Sequence, residues 1–313
     1  MQIESLDLGD LDRYERRPED AHKLLSPVDV MERVITRMHA GAVGETLPWS
    51  TAASYLRFAP GQLTVHAGGA ASFKSTILSQ MVLGFCEQGA RCAVTSLEEP
   101  VEEYGLRLCQ QGLADSSPKP SRVSALYQAL HERLIFWDVT GHMPRERALA
   151  MMRYCAYERG VQHFVFDNVT KVVNPGNDAM AEQWAFIRDC VEVARTTKMH
   201  VHLVMHSRKS GRDRDETPTM NDIRGTGTIV DQADQVVMVW RNRRKEEVQD
   251  GTLDLDGDER ARVIKQPDVL LCIEKAKFGG REGKVGLWRD HPTRLFFHGF
   301  EINPQPSALL GAA

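Results

Sequence analysis

Residues 64 to 80 read TVHAGGAASFKSTILSQ. Gly68 stands six residues before Lys74, with Ser75 and Thr76 following, the spacing of a G-x-x-x-x-G-K-[ST] phosphate loop. In such a loop the backbone N–H groups of Gly68, Gly69, Ala70, Ala71, Ser72 and Phe73 turn toward phosphate at a helix N-terminus. The Lys74 ammonium meets the β and γ phosphates, and the Ser75 hydroxyl holds Mg²⁺. Phe73 is the departure, because the last loop position normally carries glycine, which accepts unusual dihedrals. A phenylalanine still presents its N–H where its backbone stays helical, and its ring can pack beside a nucleotide. Two readings stand at this point: a working ATP site, and a degenerate loop that binds nothing.

A magnesium site needs a carboxylate at the end of another buried strand. The stretch QHFVFDN supplies Asp167 there. Attack by water needs a general base. AVTSLEEP places Glu98 and Glu99 just after a strand, on the same sheet edge as the phosphate loop. The plainer reading of that pair is a solvated first helical turn.

The elements that must position these groups alternate along the chain. Buried strands are expected at 62–67, 91–96, 133–139, 162–167 and 200–206, and helices at 74–89, 100–113, 145–160 and 180–198. Late strands at 234–240, 269–277, 284–290 and 294–300 lack intervening helices. The pattern predicts an α/β fold with a mostly parallel central sheet and antiparallel edge strands. The very charged stretch 241–268 reads as a solvated insertion. Residues 26–60 read as a short amphipathic helix over 27–40 and a linker. Ser26 is its cap, Pro27 lies in its first turn, and Val30, Val34, Ile35 and Met38 recur at helical spacing. The α/β core is expected over 61–302, a loose acidic segment over 1–25, and a tail over 303–313.

Hydrophobic residues make up 42% of the 313 and charged residues 26%, which fits a globular chain with a sizeable core. A net charge of −4 advertises no global basic field, so any nucleic-acid surface is local. The six cysteines form no CxxC pair and read as buried thiols in a reducing compartment. The charged N-terminus does not read as a signal peptide, and no run is apolar enough for a membrane span. A cytoplasmic protein is expected.

Taken in order, these stretches resemble the RecA-like motor domain of DnaB-like replicative hexameric DNA helicases and of phage helicase–primases, over residues 27 to 300. TSLEEPVEE is similar to the stretch that carries the catalytic glutamate, which would be Glu98. FVFDN is similar to the Walker B strand, with Asp167. HLVMHSRKS resembles the strand ending in a γ-phosphate sensor, here His206. TPTMNDIRGTGTIVDQADQVVMVWRNR carries the family's Pro-Thr, Arg and Gly, with Arg224 and Gly227 matching. Seven residues after Arg224, where the family has Gln, this chain has Asp231, with Gln232 next. CIEKAKFGGREG resembles the strand and turn of the trans-acting finger, where Lys275 and Lys277 occupy the Lys and Arg positions and Arg281 is a substitute.

The resemblance implies a homo-hexameric ring with ATP and Mg²⁺ at subunit boundaries. Helix 27–40 would then dock on a neighbour rather than pack on its own domain. It implies single-stranded DNA gripped by SRKSGRDRDE, through Arg208, Lys209, Arg212 and Arg214, with Lys171 as a second candidate. No primase signature is visible, so a separate primase, polymerase or loader is implied as partner. Two other functions keep the same core: a RecA- or RadA-like recombinase, and a non-hydrolysing ATP-binding loader or regulator.

Overall fold

A computed structural model describes residues 25–39, 41–172, 179–207, 216–223, 230–277 and 280–311. Helix α1, Pro27–His39, begins as its sequence suggests. The Ser26 N–H donates to the Asp29 carboxylate at 2.9 Å, and the Asp29 N–H donates back to the Ser26 hydroxyl at 3.3 Å. This reciprocal cap satisfies donors that the first turn leaves free. None of the residues of α1 is buried.

The segment read as a linker is instead packed into the body. It forms a small antiparallel pair, β1 (Glu45–Thr46) and β2 (Arg57–Phe58). Leu47, Trp49, Ala52, Leu56 and Phe58 are buried. The Trp49 indole donates to the Phe296 carbonyl at 2.7 Å, 247 positions away. Apolar residues in a loop-like stretch decided this, since exposing five of them would forgo their burial.

The main body continues with β3 (Leu63–Gly68), α2 (Lys74–Glu87), β4 (Cys92–Ser96), α3 (Val101–Leu113), α4 (Pro120–Leu130), β5 (Leu134–Phe136), α5 (Arg145–Arg159), β6 (His163–Asp167), α6 (Ala179–Thr197) and β7 (His200–His206). It closes with β8 (Gln235–Arg241), α7 (Arg243–Gln249), α8 (Gly257–Lys265), β9 (Val269–Ala276), β10 (Gly283–Arg289) and β11 (Phe296–Phe297). Among the described residues, the sheet order is β11-β10-β9-β8-β3-β7-β6-β4-β5. From β8 to β5 every neighbour pair is parallel. From β8 to β11 every pair is antiparallel. The expected parallel core with an antiparallel edge is therefore present.

Alternation along the strands sends side chains to two cores. Leu63, Val65 and Ala67 of β3 join Val201, Leu203 and Met205 of β7 in the core that includes residues of α5 and α6. On the opposite face, Thr64, His66, His200 and His202 are buried. There the rings of Phe58 and Phe85 lie against His202.

Four local features differ from the sequence reading. Helix α4 is an element that the sequence pattern did not mark: Pro120 opens it, and Leu126 and Leu130, one helical turn apart, are its buried residues. The stretch 241–268 is not a plain solvated insertion. Asn242 and Asp256 cap α7 and α8, and buried Lys245 pairs with Asp268 at 2.8 Å. The strand expected over 294–300 is reduced to Phe296–Phe297. The stretch read as a tail packs down as well, since the Ser307 hydroxyl donates to Glu87 at 2.6 Å and Leu309 and Leu310 lie against the core. All six cysteines are free and buried. No helix among the described residues is long and apolar enough to cross a membrane.

Candidate nucleotide site at the carboxyl edge of the sheet

Parallel pairing places strand ends of one polarity side by side. Gly68 pairs in register with His206 of β7 and Val239 of β8, and Ser96 pairs with Asp167. The phosphate loop, the Glu98 turn, Asp167 and His206 therefore share one edge. That edge, outside the carboxyl ends of parallel strands, is where open α/β sheets bind ligands.

The loop from Gly68 to Phe73 links β3 to α2, and Gly68 has no room for a side chain. A Cβ there would lie 2.5 Å from the Val239 carbonyl and 2.8 Å from the Ser72 hydroxyl. Ala71 and Phe73 both have positive φ, 54° and 67°. Phe73 thus leaves the helical backbone its N–H was expected to need, and takes up the left-handed conformation that glycine would adopt without strain. Lys74 is buried, and its ammonium donates to the Gly68 and Gly69 carbonyls at 3.1 and 2.8 Å. Burial lowers its pKa, while the charges of Asp167 and Glu98 oppose that shift.

Ser75 donates its hydroxyl hydrogen to the Asp167 carboxylate at 2.5 Å. Asp167 is buried, and burial pushes its pKa up to about 6, with the Ser75 hydrogen bond opposing and Glu98 adding to the rise. One hydroxyl and one carboxylate form an all-oxygen donor set. Magnesium suits such a set, because it takes one or two protein ligands and completes its shell with phosphate and water. The N-terminus of α2 and the Lys74 ammonium suit the phosphates. The residues present therefore fit a nucleotide and its metal.

The two glutamates separate in role. Glu99 takes both guanidinium N–H groups of Arg107, at 2.7 and 2.5 Å. Arg107 in turn donates to Ser79, and Ser79 donates to Gln111 at 2.6 Å. Gln111 donates to the Thr76 carbonyl on α2 at 2.9 Å. Glu98 is left facing the edge, its carboxylate 3.4 Å from His206 Nε2. The Thr170 N–H donates to Asn168 Oδ1 at 3.0 Å, so the amide nitrogen of Asn168 points at His206 Nε2, 3.0 Å away. That ring nitrogen is then an acceptor, and His206 carries its proton on Nδ1. Glu98 and His206 Nε2 are two acceptors facing one another, open to a proton donor such as water.

The three finger candidates lie elsewhere. Lys275 and Ala276 of β9 pair with Val236 and Gln235, at the start of β8. Gly68 pairs with Val239, toward the far end of β8. About 3.3 Å of rise per residue puts roughly 10 Å or more of strand between the two rows. Lys275 donates to the Val230 carbonyl and to that of Asp231. Lys277 stands 3.8 Å from Asp234. The Arg281 guanidinium lies over the Tyr55 ring at 4.1 Å. These groups are not brought to the phosphate loop of their own chain. Lys171 ends a short helical turn, Val169–Lys171, beyond Asp167. Arg208, Lys209, Arg212, Arg214 and Arg224 lie outside the described residues.

Sequence reasoning missed Arg107, Asn168, Arg241, Arg243 and Arg289. The one available signal was Phe73 itself. A phenylalanine at a left-handed position needs neighbours to hold it, and Arg241 and Arg289 flank its ring at 4.5 and 4.4 Å.

A family model described as an AAA domain matches residues 55–212, just over half of the chain. An ATPase domain of known structure superposes with a TM-score of 0.70 at 15% identity, covering 87% of this chain and 98% of that one. A DnaB-like replicative helicase, solved in a study of its interactions with primase, superposes with a TM-score of 0.67 at 13% identity. That match covers 88% of this chain and 67% of the other. At these identities the likeness establishes a shared fold.

Proposed function

Because this chain belongs to the AAA domain family, we propose that it is an ATP-driven replicative DNA helicase, a ring-forming motor that translocates on single-stranded DNA and unwinds duplex. One observation carries the reading. The phosphate loop, Ser75–Asp167 and the Glu98–His206 pair converge on one sheet edge, in a fold shared with a solved ATPase domain and with a DnaB-like replicative helicase.

Bound ATP supplies the phosphoryl group for transfer, and Mg²⁺ offsets the charge that develops there. Lys74 leaves the Gly68 and Gly69 carbonyls and turns its ammonium to the phosphates. Ser75 and Asp167 would hold the metal. Glu98 accepts the proton of the attacking water, as a carboxylate that no arginine occupies. Arg107 keeps Glu99 out of that role. His206 presents Nε2 beside Glu98 and reports on the γ-phosphate position to the segment that follows it.

Lys275, Lys277 and Arg281 sit away from the phosphate loop of their own chain, which supports a role toward a neighbour's site. A head-to-tail ring brings such groups to the adjoining subunit. The uncovered apolar face of α1, where Met38 is 75% exposed, supports docking on that neighbour. Arg208, Lys209, Arg212 and Arg214 follow β7 in sequence and would meet DNA phosphates. A separate primase is the partner that the helicase neighbour suggests.

The test is ATP hydrolysis with and without single-stranded DNA, beside strand displacement from a forked duplex. Wild-type protein is expected to show DNA-stimulated turnover and unwinding, with both lost in Lys74→Ala. Long filaments with strand exchange and no unwinding would favour the recombinase. ATP binding without turnover would favour the loader.

A further inference from the structure

Phe73 occupies a backbone conformation that glycine adopts freely and a phenylalanine resists, with φ 67°. Its ring is held on the antiparallel side of the sheet. The Arg241 guanidinium lies 4.5 Å from its centroid and that of Arg289 4.4 Å, with Phe296 at 6.0 Å. Both arginines end strands at the same edge as the loop, since β8 and β10 each run antiparallel to β9 between them. Arg241 is oriented by Glu246, whose carboxylate oxygens accept its Nε–H at 2.7 and 2.8 Å. Its other arm donates to the Ala71 carbonyl at 2.8 Å, and Arg243 donates to the Ala70 carbonyl at 3.3 Å. Arg289 Nε is buried without a hydrogen-bond partner.

We propose that Arg241 and Arg289 are positioning residues for the phosphate loop, using the Phe73 ring as the handle that holds the loop left-handed. Guanidinium over an aromatic face is favourable, the more so when it is shielded from water. Here that attraction acts on the one ring whose backbone would otherwise relax out of the left-handed region. Two carbonyl contacts from Arg241 and Arg243 fix the preceding residues. The amides of 70–74 are thereby aimed before a ligand arrives. A glycine loop gains its shape from backbone freedom; this loop gains it from strands β8 and β10. The proposal rests on the nucleotide reading of the loop.

A double-mutant cycle tests it. Arg289→Met keeps the stem and removes the cation, and Arg289 meets the loop through the Phe73 ring. The readouts are KM and kcat for ATP, Kd for a non-hydrolysable ATP analogue, and amide hydrogen exchange of residues 69–74 in nucleotide-free protein. Arg289→Met is expected to raise KM and Kd together by roughly three- to thirtyfold, to leave kcat nearly unchanged, and to speed loop exchange. In the Phe73→Gly background the same substitution should change none of these. Arg241→Lys, which keeps charge but loses the fork, should raise KM in the wild-type background. Equal effects of Arg289→Met in both backgrounds would overturn the proposal, as would unchanged loop exchange. Loop exchange is read without nucleotide, so a wild-type protein that fails to bind ATP would remove the proposed function while the clamp was still decided.

Discussion

Arg107 grips both oxygens of Glu99, while the adjacent Glu98 carboxylate stands 3.4 Å from His206. Two neighbouring glutamates thus meet different partners. Glu98→Gln is expected to keep analogue binding and to slow hydrolysis on the order of 10²-fold or more, because the proposed general base is gone. Normal turnover in that variant would move the base elsewhere.

Glu99→Gln should act through the fold. It leaves the buried Arg107 guanidinium without its counter-charge, a loss of roughly 3 kcal/mol for a buried pair. Urea denaturation is the check, and an unchanged midpoint would show the pair to be expendable. Turnover per folded molecule should fall far less than in Glu98→Gln.

Asp167→Asn should weaken the metal-dependent step while leaving the loop in place. It replaces a charged oxygen donor with a neutral amide, which magnesium holds less well. The measurement is the Mg²⁺ concentration needed for half-maximal ATP hydrolysis. That concentration should rise clearly, whereas Lys74→Ala should lose turnover at every Mg²⁺ concentration.

The buried histidines predict acid sensitivity. Burial pulls His66 down to about 3 and His200 and His202 well below 6.5. Folded, they are neutral; unfolded, they bind protons below about 6.5. Their stabilisation is therefore complete above that value and is lost as pH falls from about 6.5 toward 3. Asp167, raised to about 6, works in the opposite sense but is one group against three. The urea midpoint should be flat near neutrality and drop on acidification below about pH 6. A His66→Gln, His202→Gln double variant that still folds should show a shallower drop.

Assembly is testable by mixing. If sites are shared, Lys74→Ala and Lys277→Ala proteins, each impaired alone, should recover turnover together, because some boundaries pair an intact loop with an intact finger. Specific activity should rise with protein concentration until rings are saturated. Val34→Asp on the apolar face of α1 should shift that rise to higher concentration. A monomeric preparation that hydrolyses ATP at the full DNA-stimulated rate would sink the shared site.

The sequence by itself determined the order of the core strands and helices and the place of the phosphate loop, because apolar runs, glycine-terminated helices and the Gly68-to-Lys74 spacing are local signals. Asp167 and Glu98 were legible for the same reason: one ends a buried strand and the other follows one, and parallel pairing then puts them on the loop's edge. Helix α4 was weakly marked, with Leu126 and Leu130 as its only fully buried side chains. The packing of residues 41–60 turned on partners far along the chain, such as Phe296 for Trp49. Only the tertiary structure decided which glutamate escapes an arginine, since the distinction comes from Arg107 on the next helix. It alone decided how Phe73 is accommodated, because Arg241 and Arg289, which hold its ring, arrive from β8 and β10, far along the chain. A side chain's type is written in the chain, but the charge it meets depends on which strands become neighbours in the sheet.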